Sequence, residues 1–315
     1  MPGHPEEEAL GAAVDLEGHE VRVGTCSWTD RTLTRETDWY PRKTMSAEER
    51  LRFYAAQFPL VEVDSTYYRP LTEQQSHVWA ERSPEGFRFN VKAYSLFTGH
   101  PTRPQSLWPD LRELLDDEAR EKRSIYAHHL PDDAIGEAWR RFHDALEPLR
   151  AAGKLGAVLM QYPHWVGPRR DSRQELDALP ERLPDTRICV EFRSPRWLAE
   201  REDRERTLAR LGDLGLTLVC VDAPEVSGLP TLFAATTPDL AVMRFHGRDD
   251  DAWTTGRSAA ERFRYRYSDR ELRDLAAGAA ELAGEVRETH LLMNNCYRDH
   301  AVRNAATLRE LLDAR

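Results

Sequence analysis

"VMRFHGRDD" (residues 242–250) decides how this chain is read. Val242, Met243 and Phe245 have the β-branched and apolar character of a buried strand. Arg244, His246 and Arg248 recur at every second position, and alternate residues of a strand share one face. A strand dry on one side and carrying two guanidiniums and an imidazole toward its carboxyl end suits a parallel barrel, where the ends of the strands form a polar mouth.

Seven further β-rich runs accompany it: "VRVGTC" (21–26), "LVEVDSTYY" (60–68), "FRFNVKAY" (87–94), "GAVLMQY" (156–162), "ICVEFR" (188–193), "TLVCVDA" (217–223) and "HLLMNN" (290–295). Helical stretches are predicted between them over 46–57, 72–82, 134–152, 172–182, 198–214, 269–283 and 300–313, with an extra helix over 110–119. Ser46 with Glu49, Thr72 with Gln75, Ser172 with Glu175 and Ser268 with Glu271 each have capping-box spacing, in which a hydroxyl and an acid or amide satisfy each other's backbone donors. Eight strands alternating with helices imply crossover connections and an α/β (β/α)8 TIM barrel. The competing architecture, a doubly wound open sheet, would carry a Gly-rich phosphate turn after its first strand; "GTCSWTD" (24–30) is not one. Residues 20–315 are expected to form a single barrel domain behind an acidic tail over 1–19. Residues 95–155 are too long for one crossover and are expected to hold a helical insertion between strands 3 and 4, over the barrel mouth. The stretch 225–239 leaves room for one helical turn or none.

Composition limits the partners. The 315 residues carry 44 basic and 54 acidic side chains, a net charge of −10, which disfavours non-specific coating of nucleic acid while permitting a local basic pocket. No apolar run reaches the roughly 18 residues of a membrane span, so no membrane partner is expected. The first residues lack the charged and apolar regions of a secretory signal. Cys26, Cys189, Cys220 and Cys296 form no C-x-x-C pair and sit in or beside apolar runs, the setting of buried reduced thiols. A cytoplasmic location is the expectation.

Polar residues cluster at the carboxyl ends of the runs: Glu62 and Asp64, Lys92, Gln161, Glu191 and Arg193, Asp222, Arg244 with His246 and Arg248, Asn294 and Asn295. A buried charge is costly unless paired, and polar groups at the same end of seven strands describe a wet pocket in which carboxylates and cations neutralise each other and meet a ligand. Structural ion pairs inside the barrel are the plainer reading of any single member. Aromatic residues follow the runs: Trp28, Tyr67, Tyr68, Tyr94, Tyr162, Trp165, Trp197, Trp253 and Tyr297 could stack on a sugar or base, or could pack the barrel rim. Trp39, Trp79 and Trp139 fall on helices or their approaches and read as core. "RFRYRY" (262–267) reads as a loop with solvated arginines.

"GTCSWTD" (24–30), "WYP" (39–41), "FPLVEVDSTYYRPL" (58–71), "FRFNVKAY" (87–94), "QYP" (161–163), "VEFRSPRW" (190–197), "RFHGR" (244–248), "YRYSDREL" (265–272), Asn294-Asn295 and "NA" (304–305) together resemble the YecE-like family, a bacterial and archaeal domain of unknown function, across about residues 21–313. The resemblance implies a TIM barrel and supplies neither an activity nor catalytic residues. Cys26 and Asp30 depart from the small residue and the aromatic frequent in that family's opening.

The functional expectation is an enzyme acting on a small anionic, phosphorylated or sugar-like substrate. Lys92, Arg193, Arg244 and Arg248 would clamp its oxyanions. Glu62 and Glu191 would divide acid–base and orienting roles, and His246, crowded by arginines, would stay neutral and act as base. Asp64, Asp222, Gln161, Asn294, Asn295, Trp28 and Tyr67 would line the site. Lys92 as a Schiff-base nucleophile is a sharper variant. No cofactor is expected. A metal-dependent phosphodiester hydrolase using Glu62, Glu191, Asp222 and His246, with His100 and His164 nearby, is one alternative; a non-enzymatic nucleotide- or nucleic-acid-binding module is the other.

Overall fold

The computed structural model describes residues 11–256 and 258–315. Nine strands share one sheet: β1 (Val14–Leu16), β2 (His19–Thr25), β3 (Leu60–Val63), β4 (Arg88–Lys92), β5 (Leu155–Tyr162), β6 (Ile188–Phe192), β7 (Thr217–Asp222), β8 (Leu240–Phe245) and β9 (Glu288–Met293). From β2 to β9 neighbours pair in chain order, and β2 also pairs with β9, which closes the sheet. Along that seam Glu20 lies opposite Glu288 and Thr25 opposite Met293, in parallel register. Eight parallel strands closed in this way, with helices on the outside, are the TIM barrel read from the sequence. An open doubly wound sheet is excluded by the closure.

The amino-terminal segment departs from the expected tail. Residues 1–10 of that tail lie outside the described residues. Val14–Leu16 is a strand antiparallel to β2, with Val14 opposite Val21. The two turn residues, Glu17 and Gly18, both have positive φ (54° and 91°), the mirror-image turn that matches strand twist. β3 reaches β2 only at Gly24 and Thr25. The lower half of that edge of β2 would otherwise expose unpaired backbone groups, and β1 occupies it. Where β3 does arrive, a Cβ on Gly24 would stand 2.0 Å from the Leu60 carbonyl oxygen, so the close approach requires glycine.

Three of the four expected capping boxes form, at Ser46, Thr72 and Ser268. The fourth does not: Ser172 lies inside the helix Arg170–Asp177, and Arg169 precedes it as N-cap without a side-chain bond. After Asp222 only the turn Glu225–Ser227 is helical before β8. Between β4 and β5 stand two short helices, Pro109–Glu113 and Asp117–Glu121, and then the long helix Asp132–Ala151. That long helix carries the expected core tryptophan, Trp139, whose ring stacks 3.9 Å from Phe97 of the inserted segment. No helix among the described residues is long and apolar enough to cross a membrane.

Alternation along each strand sorts the side chains. One set points out toward the helices and builds the main core, with Val61, Val63, Phe89, Val91, Val190, Phe192, Met243 and Phe245 among its members. The other set fills the barrel. Its middle is apolar: Leu60, Leu159, Cys189, Val219, Val221, Val242 and Leu292 pack together there. Below this plug lies one polar layer around Glu288, and above it lies another around Arg244.

Candidate functional site at the carboxyl end of the barrel

Arg244 is the keystone of the upper layer. It is 1% exposed and projects into the barrel between two carboxylates. One terminal nitrogen bonds Glu62 Oε1 at 2.6 Å, and the other bonds Glu191 Oε2. The first also approaches Cys26 Sγ at 3.6 Å. Glu191 is shared further: it pairs with the Arg193 Nε, accepts from Gln161 Nε2 at 2.8 Å, and lies 3.4 Å from His246 Nε2. Lys92 pairs with Asp64 at 2.9 Å and places its ammonium 4.7 Å from the centre of the Tyr67 ring. Three carboxylates therefore face three cations, contributed by β3, β4, β6 and β8 and the residues that follow them.

The surroundings set the charge states. Burial pushes the Glu62 carboxyl up, and Arg244 only partly opposes this. Burial would do the same to Glu191, but Arg193, Arg244 and His246 outweigh it and hold the carboxyl well below the ordinary range. Asp64 likewise ends low, because Lys92 and then Arg244 overcome its burial. Burial lowers the His246 imidazole to about 3, with Arg193 adding to the effect, so the ring is neutral at physiological pH. Asn294 Nδ2 meets His246 Nδ1 at 2.8 Å. An amide nitrogen donates, which leaves the ring proton on Nε2. That nitrogen is buried and has no partner in hydrogen-bond geometry.

Above this network the layer opens onto aromatic rings. The Arg193 guanidinium lies 5.2 Å from the Trp253 ring centre. Tyr67 meets His100 of the inserted segment at 5.1 Å, edge to face, so the insertion does reach the mouth. His100 in turn contacts Trp165 at 5.9 Å. Tyr68 and Trp165 are exposed, at 64% and 44%. Burial, with Lys92 and Arg193 adding to it, lowers the His100 imidazole to about 4.

Of the residues expected in the pocket, Glu62, Asp64, Lys92, Gln161, Glu191, Arg193, Arg244, His246, Asn294 and Tyr67 come together. Four do not. Asp222 follows Val221, an interior residue, and so points outward; its carboxylate accepts from Arg248 Nη2 at 2.7 Å and from the Tyr267 hydroxyl at 2.6 Å. Arg248 leaves the alternation of Arg244 and His246 because Gly247, at φ 90°, turns the chain between them. Asn295 is out of phase with Asn294 and bonds Asn304 Oδ1 and the Tyr265 carbonyl, which fixes the loop before helix Asp269–Ala283. Trp28 is 8% exposed and packs edge-on against Trp79 at 6.0 Å, as core. Tyr94, Tyr162 and Trp197 are buried as well. Tyr267, not among the expected site residues, holds both Asp222 and the Gly247 amide (2.8 Å). The signal was present in "RFRYRY", where Tyr265 and Tyr267 turn inward and Arg264 and Arg266 stay exposed.

Among the described residues no group of three or more His, Cys, Asp or Glu side chains is placed to hold a metal ion. Arg244 occupies the space between Glu62 and Glu191, Asp222 faces away, and His164 packs on Trp165 at 4.8 Å.

Known proteins share this architecture. The chain is 28% identical over 299 residues to the UPF0759 protein YunF of Bacillus subtilis, covering 93% of this chain and 95% of that one. Crystal structures of two DUF72 family proteins superpose well. The one from Thermotoga maritima is 29% identical, with a TM-score of 0.73 and coverage of 93% of this chain and 99% of that one. The one from Enterococcus faecalis is 25% identical, with a TM-score of 0.74 and coverage of 93% and 95%. A family model described as "Protein of unknown function DUF72" matches residues 22–315, and the chain therefore belongs to that family, the same one its motifs resemble under the name YecE-like.

Proposed function

We propose that the barrel mouth is the active site of an enzyme acting on a small anionic substrate, phosphorylated or sugar-like. One observation carries this reading. Lys92 and Arg193 are the cations at the open edge of the layer, from different strands, and each faces an aromatic ring of a top loop. A cation desolvated on one side by an aromatic face and neutralised by a carboxylate below can exchange part of that pairing for an incoming oxyanion. Arg244, sealed beneath them, serves as scaffold for the two glutamates.

Within that reading Glu62 is the acid–base group, because burial favours its protonated form. Glu191, fully engaged by Arg193, Arg244 and Gln161, orients the cations. His246 offers an Nε2–H as a neutral donor, in place of the base read from the sequence. Tyr67 and Trp253 are the walls against which the substrate's carbon skeleton lies.

Calorimetric titration with orthophosphate and a panel of sugar monophosphates tests the proposal. At least one ligand is expected to bind, and Arg193→Gln and Lys92→Gln to weaken it by about tenfold or more, the worth of a charge-assisted hydrogen bond. If no monophosphate binds, or if both variants bind as the native chain does, the assignment of the clamp is wrong.

A further inference from the structure

A second basic site lies away from the barrel interior, on the segment that follows β2. A cavity of about 560 Å³ is lined by Thr29, Arg31, Thr34, Arg35, Lys43 and Arg50. Four of these six residues are cations and none is acidic, in a chain whose net charge is −10. Its volume lies within the range of small-molecule sites.

Of the four cations, two are free of internal pairing among the described residues, and the other two are only partly engaged. Among the described residues Arg31 and Arg35 have no acidic partner, and both are exposed on the helix Arg31–Glu36. Arg50 spends one nitrogen on the Lys43 carbonyl at 3.0 Å and lies 5.9 Å from the Tyr40 ring centre. Its Nε is buried and has no hydrogen-bond partner. Lys43 bonds the Thr37 carbonyl and stands 3.3 Å from Asp38, a fully exposed carboxylate at the edge. Like charges gathered with a single carboxylate at the edge repel each other, and an anion placed among them lowers that cost. The geometry contrasts with the barrel mouth, where every cation already has a carboxylate.

We propose that this cavity binds a compact polyanion bearing more than one phosphate, of which inorganic pyrophosphate is the simplest member. The charge argues for more than one phosphate, since a single phosphate, at about −2, matches only two of the four cations. The lining offers guanidinium forks and the Thr29 hydroxyl, which suit phosphoryl oxygens. It contains no aromatic ring, so it gives a nucleobase nothing to stack on.

The test is calorimetric titration of the full chain with pyrophosphate and with orthophosphate, at physiological ionic strength. Pyrophosphate is expected to bind at least tenfold more tightly than orthophosphate, and Arg31→Gln with Arg35→Gln to weaken it at least tenfold. Both arginines are exposed, so the melting temperature of the double variant is expected to match the native chain. Lys92→Gln weakens the anion clamp at the mouth, and the tight, Arg31- and Arg35-dependent component of pyrophosphate binding is expected to persist in it. Absence of pyrophosphate binding, an unchanged preference for pyrophosphate over orthophosphate in the double variant, or loss in Lys92→Gln with retention in the double variant would each overturn the proposal, the last by moving the anion to the barrel mouth.

Discussion

Glu288 at the lower end of the barrel and Glu191 at the upper end each collect cations inside the same sheet. Around Glu288 the donors are Arg22 at 2.8 Å, Arg187 and His290 Nε2 at 2.9 Å, with Arg88 at 3.8 Å. Arg22 also spends one nitrogen on Glu20 and another on the Gly86 carbonyl. That layer is a hub: one carboxylate holds cations from several strands together. The upper layer has three carboxylates, and it opens onto Tyr67, His100 and Trp253. Buried charge in a barrel is thus no mark of a site by itself. What distinguishes the upper layer is its open aromatic edge, at the carboxyl ends of the strands where barrel enzymes work.

The comparison breaks most sharply at Arg244. Arg244→Met leaves Glu62 and Glu191 buried without their shared cation, and removing one partner of a buried pair costs about 3–5 kcal/mol. The denaturant midpoint is expected to fall accordingly, and adding Glu62→Gln to Arg244→Met is expected to restore part of the loss, since Glu191 keeps Arg193. A stable single variant would show that Arg244 is not the keystone. A smaller effect is expected below. Glu288→Gln keeps its volume but loses charge on Arg22 and Arg187, the latter partly solvated, at a cost of about 2 kcal/mol. Burial would push Glu288 up, but His290 and Arg187 outweigh it and hold its carboxyl far below the ordinary range. Its contribution is therefore complete above the unfolded carboxylate value of about 4.3 and is lost as pH falls below it. The stability gap between the native chain and Glu288→Gln should close in acid. Monophosphate binding at the mouth should stay the same, and loss of binding in Glu288→Gln would erase the distinction between hub and site.

The strands, the closure and most of the upper layer were legible because polar residues at the ends of apolar runs are rare and the barrel gives them one destination. Asp222 was not legible. β7 is buried on both faces, so "TLVCVDA" offers no alternation to say which side is the interior. Arg248 looked in phase because the period was extended through Gly247, and only the backbone shows that the strand has ended. Asn294 and Asn295 are adjacent and could never share a face, a rule available from the sequence alone. The lower layer is harder to read because Arg187 and Glu288 sit at or just before the beginnings of strands and Arg22 and His290 lie within them, away from the carboxyl ends. The hairpin of β1 was hidden by its turn, since Glu-Gly is a weaker sign of a mirror turn than Asn-Gly.

A finer distinction concerns the edge of the upper layer. Tyr67→Phe keeps the ring beneath the Lys92 ammonium and should be neutral in binding. Tyr67→Ala removes it, at a cost of about 1 kcal/mol in monophosphate affinity and less in stability. Equal affinities of the two variants would mean that the ring is packing alone and that the open edge has no wall there.

The smallest expected effect is none at all, at His246. Burial and Arg193 hold this imidazole near 3, whereas the unfolded chain takes its proton near 6.5. The unfolded state therefore binds the extra proton between those values, so stability falls as pH drops through the window and gains nothing above it. In the folded protein the ring signals of His246 in NMR spectra should stay flat from pH 8 down to pH 5. His290, in the lower layer, is also pulled low by burial although Glu288 opposes this. An inflection at His246 alone, near 6.5, would mean that the upper layer admits water and charge freely, and the neutral donor assigned to Nε2 would have to be given back its role as a base.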